Sequence, residues 1–122
     1  TTTLNTNNIP TGKSLLVIGF SPWCKHCQAE TQDIVKHIDS LKNTRILFVT
    51  PYPFDQMRTF YRYFKLSQYP NITMGRDTKD YFLTYFKAEG VPYTAIFDSK
   101  KRLIQAIANE AHASDLVHAA AE

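Results

Sequence analysis

The chain has 122 residues, with 14 Lys and Arg against 11 Asp and Glu for a formal net charge of +3; 43% of its residues are hydrophobic and 20% charged. That balance fits one globular domain spanning residues 1–122. It speaks against several other classes. The basic residues are scattered rather than gathered in a tract, which gives no footprint for a nucleic-acid partner. Two cysteines are too few for a disulfide-stapled scaffold, and the longest apolar run, Leu15 to Phe20, falls far short of the ~20 residues that cross a membrane.

Residues 1–13 (TTTLNTNNIPTGK) are polar and read as an entry segment, with a turn at Pro10 and Gly12. LLVIGF, residues 15–20, is a short continuous apolar run and predicts a strand buried on both faces. From about Cys24 to Leu41 the apolar residues Cys27, Ile34, Val35, Ile38 and Leu41 recur at helical spacing, with Ser21 and Pro22 before them. RILFVT (45–50) is a second buried strand. Pro53 opens a helix with Phe54, Met57, Tyr61 and Phe64 on one face, and residues 69–74 form a loop with a short strand. Asp77 caps a helix over 77–87 that turns Phe82, Leu83 and Phe86 inward. YTAIFD (93–98), the turn 99–101 and RLIQAIA (102–108) make a hairpin. Ser114 caps a last helix carrying Leu116 and Val117. Strands joined through helices should be parallel and the final pair antiparallel. The expected fold class is therefore α/β, a mixed central sheet with helices on both faces.

Both cysteines lie in SPWCKHCQAE, residues 21–30. A strand runs into the helix that begins near Cys24, so Cys24 meets the unpaired N–H groups and positive dipole end of that helix. Lys25 and His26 add positive charge when protonated. All favour the Cys24 thiolate. Cys27 lies one turn further in, within disulfide reach. Cys24 should be the exposed nucleophile and Cys27 the buried resolving thiol. A disulfide here would close a loop of a few residues and stabilise little. A structural zinc wants four ligands, and His26, His37, His112 and His118 supply no second pair at suitable spacing. No metal and no organic cofactor is expected. A redox dithiol is the reading the residues favour.

Trp23, Cys24 and Cys27 between strand and helix, followed at distance by Gly90-Val91-Pro92 just before YTAIFD, resemble the thioredoxin-like superfamily. Glu30, three residues after Cys27, and the basic hairpin turn make the TlpA/ResA-like bacterial thiol–disulfide oxidoreductases the more similar branch. The resemblance covers residues 11–122. It implies a thioredoxin fold, and exchange of disulfides with protein thiols through Cys24 and Cys27, with reduction favoured over oxidation or isomerisation. It makes Pro92 a cis-proline beside the cysteines and leaves the Val91 backbone to pair with substrate. It makes Trp23 a partial shield over Cys24, and Lys25 and His26 tuners of the potential. Glu30 becomes the proton carrier for Cys27 rather than a solvated surface acid. This sequence departs from thioredoxin in one respect: Ile18 stands where thioredoxin has a buried aspartate six residues before its first cysteine.

The partners implied are a protein disulfide or dithiol substrate and an upstream thiol electron donor, with the chain as a monomer. The chain opens on Thr1 and shows no signal peptide, which is compatible with an export signal or membrane anchor having been removed. An extracytoplasmic, periplasmic setting, with a membrane tether outside this stretch, is favoured over a cytoplasmic one. Two other readings are a copper-handling module that uses the dithiol with His112 or His118, and a non-catalytic interaction domain. The peroxiredoxin pattern P-x-x-x-T-x-x-C is absent. Residues 37, 112 and 118 should be solvated histidines. Phe60, Tyr61, Tyr63 and Phe64 circle their helix, so not all face inward, and a docking patch could result.

Overall fold

The computed structural model describes residues 9–121. In chain order they form β1 (Ser14–Gly19), α1 (Lys25–Lys36), a 3-10 turn (Ile38–Leu41), β2 (Thr44–Thr50), α2 (Phe54–Tyr63), a second 3-10 turn (Leu66–Gln68), β3 (Ile72–Arg76), α3 (Tyr81–Phe86), β4 (Tyr93–Phe97), β5 (Leu103–Ala108) and α4 (Ala113–Ala120). One five-stranded sheet runs β3-β2-β1-β4-β5. β1 and β3 flank β2 in parallel, and β4 pairs antiparallel with both β1 and β5. This is the mixed sheet that the strand and helix order implies.

Strand alternation sorts the apolar residues into two layers. On one face Leu16 and Ile18 of β1, Ile46 and Phe48 of β2 and Ile96 of β4 meet Ile34 of α1, Met57 and Phe60 of α2, and Leu116 and Ala119 of α4. Phe20, just past β1, packs with Phe48 and Phe60 there, at ring centroid distances of 5.7 and 4.6 Å. The opposite face buries Leu15, Val17, Leu47 and Ala95, with Phe82 of α3, Val49, Phe97 and Ile9 packed against the first three. On this side α3 approaches β1 at Gly19, where a Cβ would stand 2.9 Å from a Leu83 methyl.

Four expectations change. The helix from Cys24 does not run to Leu41: α1 ends at Lys36, His37 takes a non-helical backbone, and a 3-10 turn follows. In α2, Phe54 is exposed and Phe60 is buried. Phe54 is the first helical residue, at the end of the packed stretch, and Arg58 stacks on its ring at 5.5 Å. The helix expected from Asp77 begins at Tyr81. Residues 77–80 form a turn, and the Asp77 carboxylate reaches forward to accept from the Tyr81 and Phe82 N–H groups at 3.1 and 2.8 Å. Ser114 lies inside α4 rather than capping it; the Ala113 N–H instead donates to Asp33 Oδ2 of α1 at 2.7 Å.

Candidate redox site

β1 delivers the chain to the site. Beyond it the Phe20 N–H still bonds Val49 O at 3.0 Å, and a turn closed by the Cys24 N–H on Ser21 O (3.1 Å) lifts residues 21–24 out of the sheet. Cys24 takes extended backbone as the N-cap of α1, and its Sγ accepts from the Cys27 N–H at 3.2 Å. A sulfur thus fills the place that Ser or Asp usually takes at a helix start, satisfying one of the orphan donors of the first turn.

The two cysteines are free thiols in unlike surroundings. Cys24 is half-buried, whereas Cys27 is 1% exposed and belongs to the main core. Burial pushes the Cys27 thiol well up, the neighbouring Cys24 sulfur adds to that, and the Glu30 charge raises it further. From the other side, the Cys24 thiol faces Val91 O at 3.7 Å. The Val91–Pro92 peptide bond is cis. Residues 24, 27, 91 and 92 are therefore brought together from two ends of the chain.

Glu30 is not a surface acid. It is 1% exposed, one turn beyond Cys27, with both oxygens engaged. Oε2 accepts from Thr94 Oγ1 at 2.7 Å, and Oε1 accepts from the Ala111 N–H at 2.8 Å. Burial raises its pKa to about 7, against the pull of those two hydrogen bonds; the charges of Glu110 and Asp33 push the same way as burial.

The remaining expected residues stand further out. Trp23 is 64% exposed and so not a core aromatic; its indole N–H donates to Gln56 Oε1 at the start of α2, at 3.1 Å. Lys25 is exposed. The His26 ring is 76% exposed and lies 3.0 Å from Glu110 Oε1, so it is drawn toward the entry of α4. Among the described residues no group of three or more His, Cys, Asp or Glu side chains gathers to hold a metal ion, and no helix is long and apolar enough to cross a membrane.

Sequence reasoning passed over Thr94, Ala111, Asp33, Gln56 and Glu110. Thr94 carried a readable signal. Alternation puts it on the same face as Ile96, and a polar side chain at an inward strand position needs a buried partner. The other four act across loops, where spacing says little.

No protein-family model and no curated protein matches the sequence. Solved structures do match the fold. The chain is similar to dsbF of Mycobacterium tuberculosis at TM-score 0.72 and 19% identity, covering 91% of this chain and 81% of that one. It is similar to StoA of Bacillus subtilis at TM-score 0.70 and 14% identity, covering 91% and 84%. It is also similar to a secreted Mycobacterium tuberculosis disulfide oxidoreductase homologous to E. coli DsbE, at TM-score 0.74 and 16% identity, covering 91% and 82%. The fold is thioredoxin-like.

Proposed function

We propose, from the premise of a thioredoxin-like fold, that this chain is a thiol–disulfide oxidoreductase acting on protein disulfides. One observation carries the reading: the Cys24 sulfur accepts the Cys27 N–H at the start of α1, with Cys27 sealed one turn inside and the Val91–Pro92 segment against Cys24. The Cys24 thiolate attacks a substrate disulfide; one substrate sulfur leaves as thiolate, and a mixed disulfide forms. Cys27 loses its proton and attacks Cys24. The Cys24–Cys27 disulfide forms as the second substrate thiolate leaves, so the substrate gains two electrons and the protein loses two. An upstream thiol donor reverses the change.

Burial makes Cys27 slow to ionise, so the resolving step needs a base. Glu30, with a pKa of about 7 and one turn away, is the group that takes that proton. Ile18 leaves no acid at the position thioredoxin uses. Thr94 Oγ1 and the Ala111 N–H orient the Glu30 carboxylate. Val91 offers its backbone to an extended substrate segment, and Pro92 fixes that loop. Trp23 and Lys25 border the entrance.

Reduction is the favoured direction. A buried, high-pKa Cys27 does not stabilise the dithiol form as thiolate, and His26 is engaged with Glu110. Residues 1–122 act as one monomeric domain in an extracytoplasmic setting, with a tether outside this stretch; the secreted structural neighbour supports that placement. Nothing in the site favours the copper-handling reading.

The test is insulin reduction with dithiothreitol as donor, together with the potential of the couple in glutathione buffers. Cys24→Ser should abolish turnover, and Cys27→Ser should accumulate mixed disulfides. A potential near about −270 mV marks a reductase, and one of about −120 to −180 mV an oxidant or isomerase. Undiminished turnover in Cys24→Ser would overturn the assignment.

A further inference from the structure

Away from the cysteines, an open groove of about 640 Å³ lies between α2, the 3-10 turn at Leu66–Gln68 and β3. Its floor is apolar: Met57 and Ile72 are buried, and Tyr61 and Met74 half-buried. Its rim is cationic. Arg58 and Arg62 stand one turn apart on α2, and Lys65 follows just past its end. No acidic residue lines the groove, and among the described residues none of these three cations forms an ion pair. The groove begins at Phe54, in the same helical turn whose Gln56 holds Trp23.

β3 is an edge strand. The Ile46 N–H donates to Asn71 O, and the Asp77 N–H donates to Thr50 O, each at 2.8 Å. In a parallel ladder alternate residues turn their backbone groups toward the neighbouring strand. Residues 71, 73, 75 and 77 therefore face β2, and residues 72, 74 and 76 face the open edge. The Ile72 N–H is taken locally by Tyr69 O. That leaves Ile72 C=O and both backbone groups of Met74 turned outward beside the cationic rim.

We propose that this groove binds an extended, acidic segment of a protein partner by strand addition to β3. The main-chain bonds fall on Ile72 and Met74. Alternate side chains of the incoming strand drop onto the α2 side, where acids meet Arg58, Arg62 and Lys65 and apolar residues meet the floor. The charge pattern selects this occupant. A second copy of the chain would bring the same three cations against themselves. Residues 1–8, TTTLNTNN, hold no acid.

The test is a titration of the full chain into a fluorescein-labelled peptide of about eight residues in which Glu and Val take turns at every second position, with Ser between them, so that one strand face carries both. Its readout is binding alone, so it is independent of whether the cysteines turn over. The peptide should bind saturably, and its Lys-for-Glu counterpart should not. Affinity should fall about tenfold or more between ~50 and ~300 mM salt, and by about tenfold or more in the exposed double variant Arg58→Glu/Arg62→Glu. N-methylation of alternate peptide residues should remove binding, and the Met74 amide should shift in NMR spectra with the unmodified peptide. Equal binding by the N-methylated peptide, or by the double variant, overturns the proposal. So does binding of phosphatidylglycerol vesicles or decanoate at the same residues when the peptide fails to bind.

Discussion

The two faces of the sheet are built unequally. One carries α1, α2 and α4 and buries aromatic and aliphatic residues from four strands; the other has the six-residue α3, in which no residue is fully buried. Cys27 and Glu30 both belong to the thick side, and its depth is what perturbs them. A thiol and a carboxyl at the same helix positions over the thin face would stay near water and titrate as ordinary groups. The difference teaches that the proposed chemistry depends on how much is packed over the sheet as well as on the cysteine spacing.

The largest expected effect uses two neighbouring leucines of β1. Leu16 is 0% exposed in the thick face, and Leu15 is 7% exposed in the thin one. Leu16→Ala leaves a cavity walled by helices that cannot readily collapse, and should cost about 4 kcal/mol. Leu15→Ala opens beneath the short α3, which can settle inward, and should cost about 2 kcal/mol. Urea denaturation of both variants reads the difference directly. Equal losses would mean that the two faces are equally rigid.

The next effect is a pH dependence confined to the thick face. Glu30 has an ordinary value of 4.5, and in the folded chain about 7. Between those values the folded state holds a proton that the unfolded chain has released. Stability is therefore full below pH 4.5, falls as pH rises through this window, and levels off above about 7. The loss is on the order of 3 kcal/mol. Glu30→Gln keeps an acceptor for the Ala111 N–H and removes the titration. The difference between wild type and variant should slope between pH 4.5 and 7 and be flat on either side. A flat difference throughout would show that Glu30 titrates alike in the folded and unfolded chain. The same variant should slow resolution of the mixed disulfide, separating its proton role from its structural one.

How much of this was legible in the sequence follows the same division. Continuous apolar runs gave away β1 and β2, and the position of the two cysteines at a strand–helix junction needed only local rules. Glu30 could be placed one turn from Cys27, but its burial could not: Thr94 and Ala111, which engage its oxygens, arrive from residues 64 and 81 positions away. The cis state of Val91–Pro92 came from resemblance, since X–Pro bonds are mostly trans. Helix starts failed for a shared reason. Asp77 and Ser114 are the right residue types near the right places, but the donors of α3 are reached by Asp77 across a turn, and the first donor of α4 is taken by Asp33 from another helix.

Those two caps give the smallest and most local contrast. Asp77 and Asp33 each satisfy helix-start N–H groups from outside the helix, one over the thin face and one over the thick. Losing either cap should cost about 1 kcal/mol where the helix is part of the global unit. α4 anchors Leu116 and Ala119 in the main core, so Asp33→Ala should lower the midpoint of global unfolding. α3 holds no fully buried residue, so Asp77→Ala should mainly release α3 itself. Amide exchange should then speed up within residues 81–86, while exchange in β1 and β2 and the urea midpoint barely move. If Asp77→Ala instead lowers the global midpoint as far as Asp33→Ala does, α3 folds as part of the same cooperative unit as the thick face. The contrast between the two sides would then be one of packing depth and not of cooperativity.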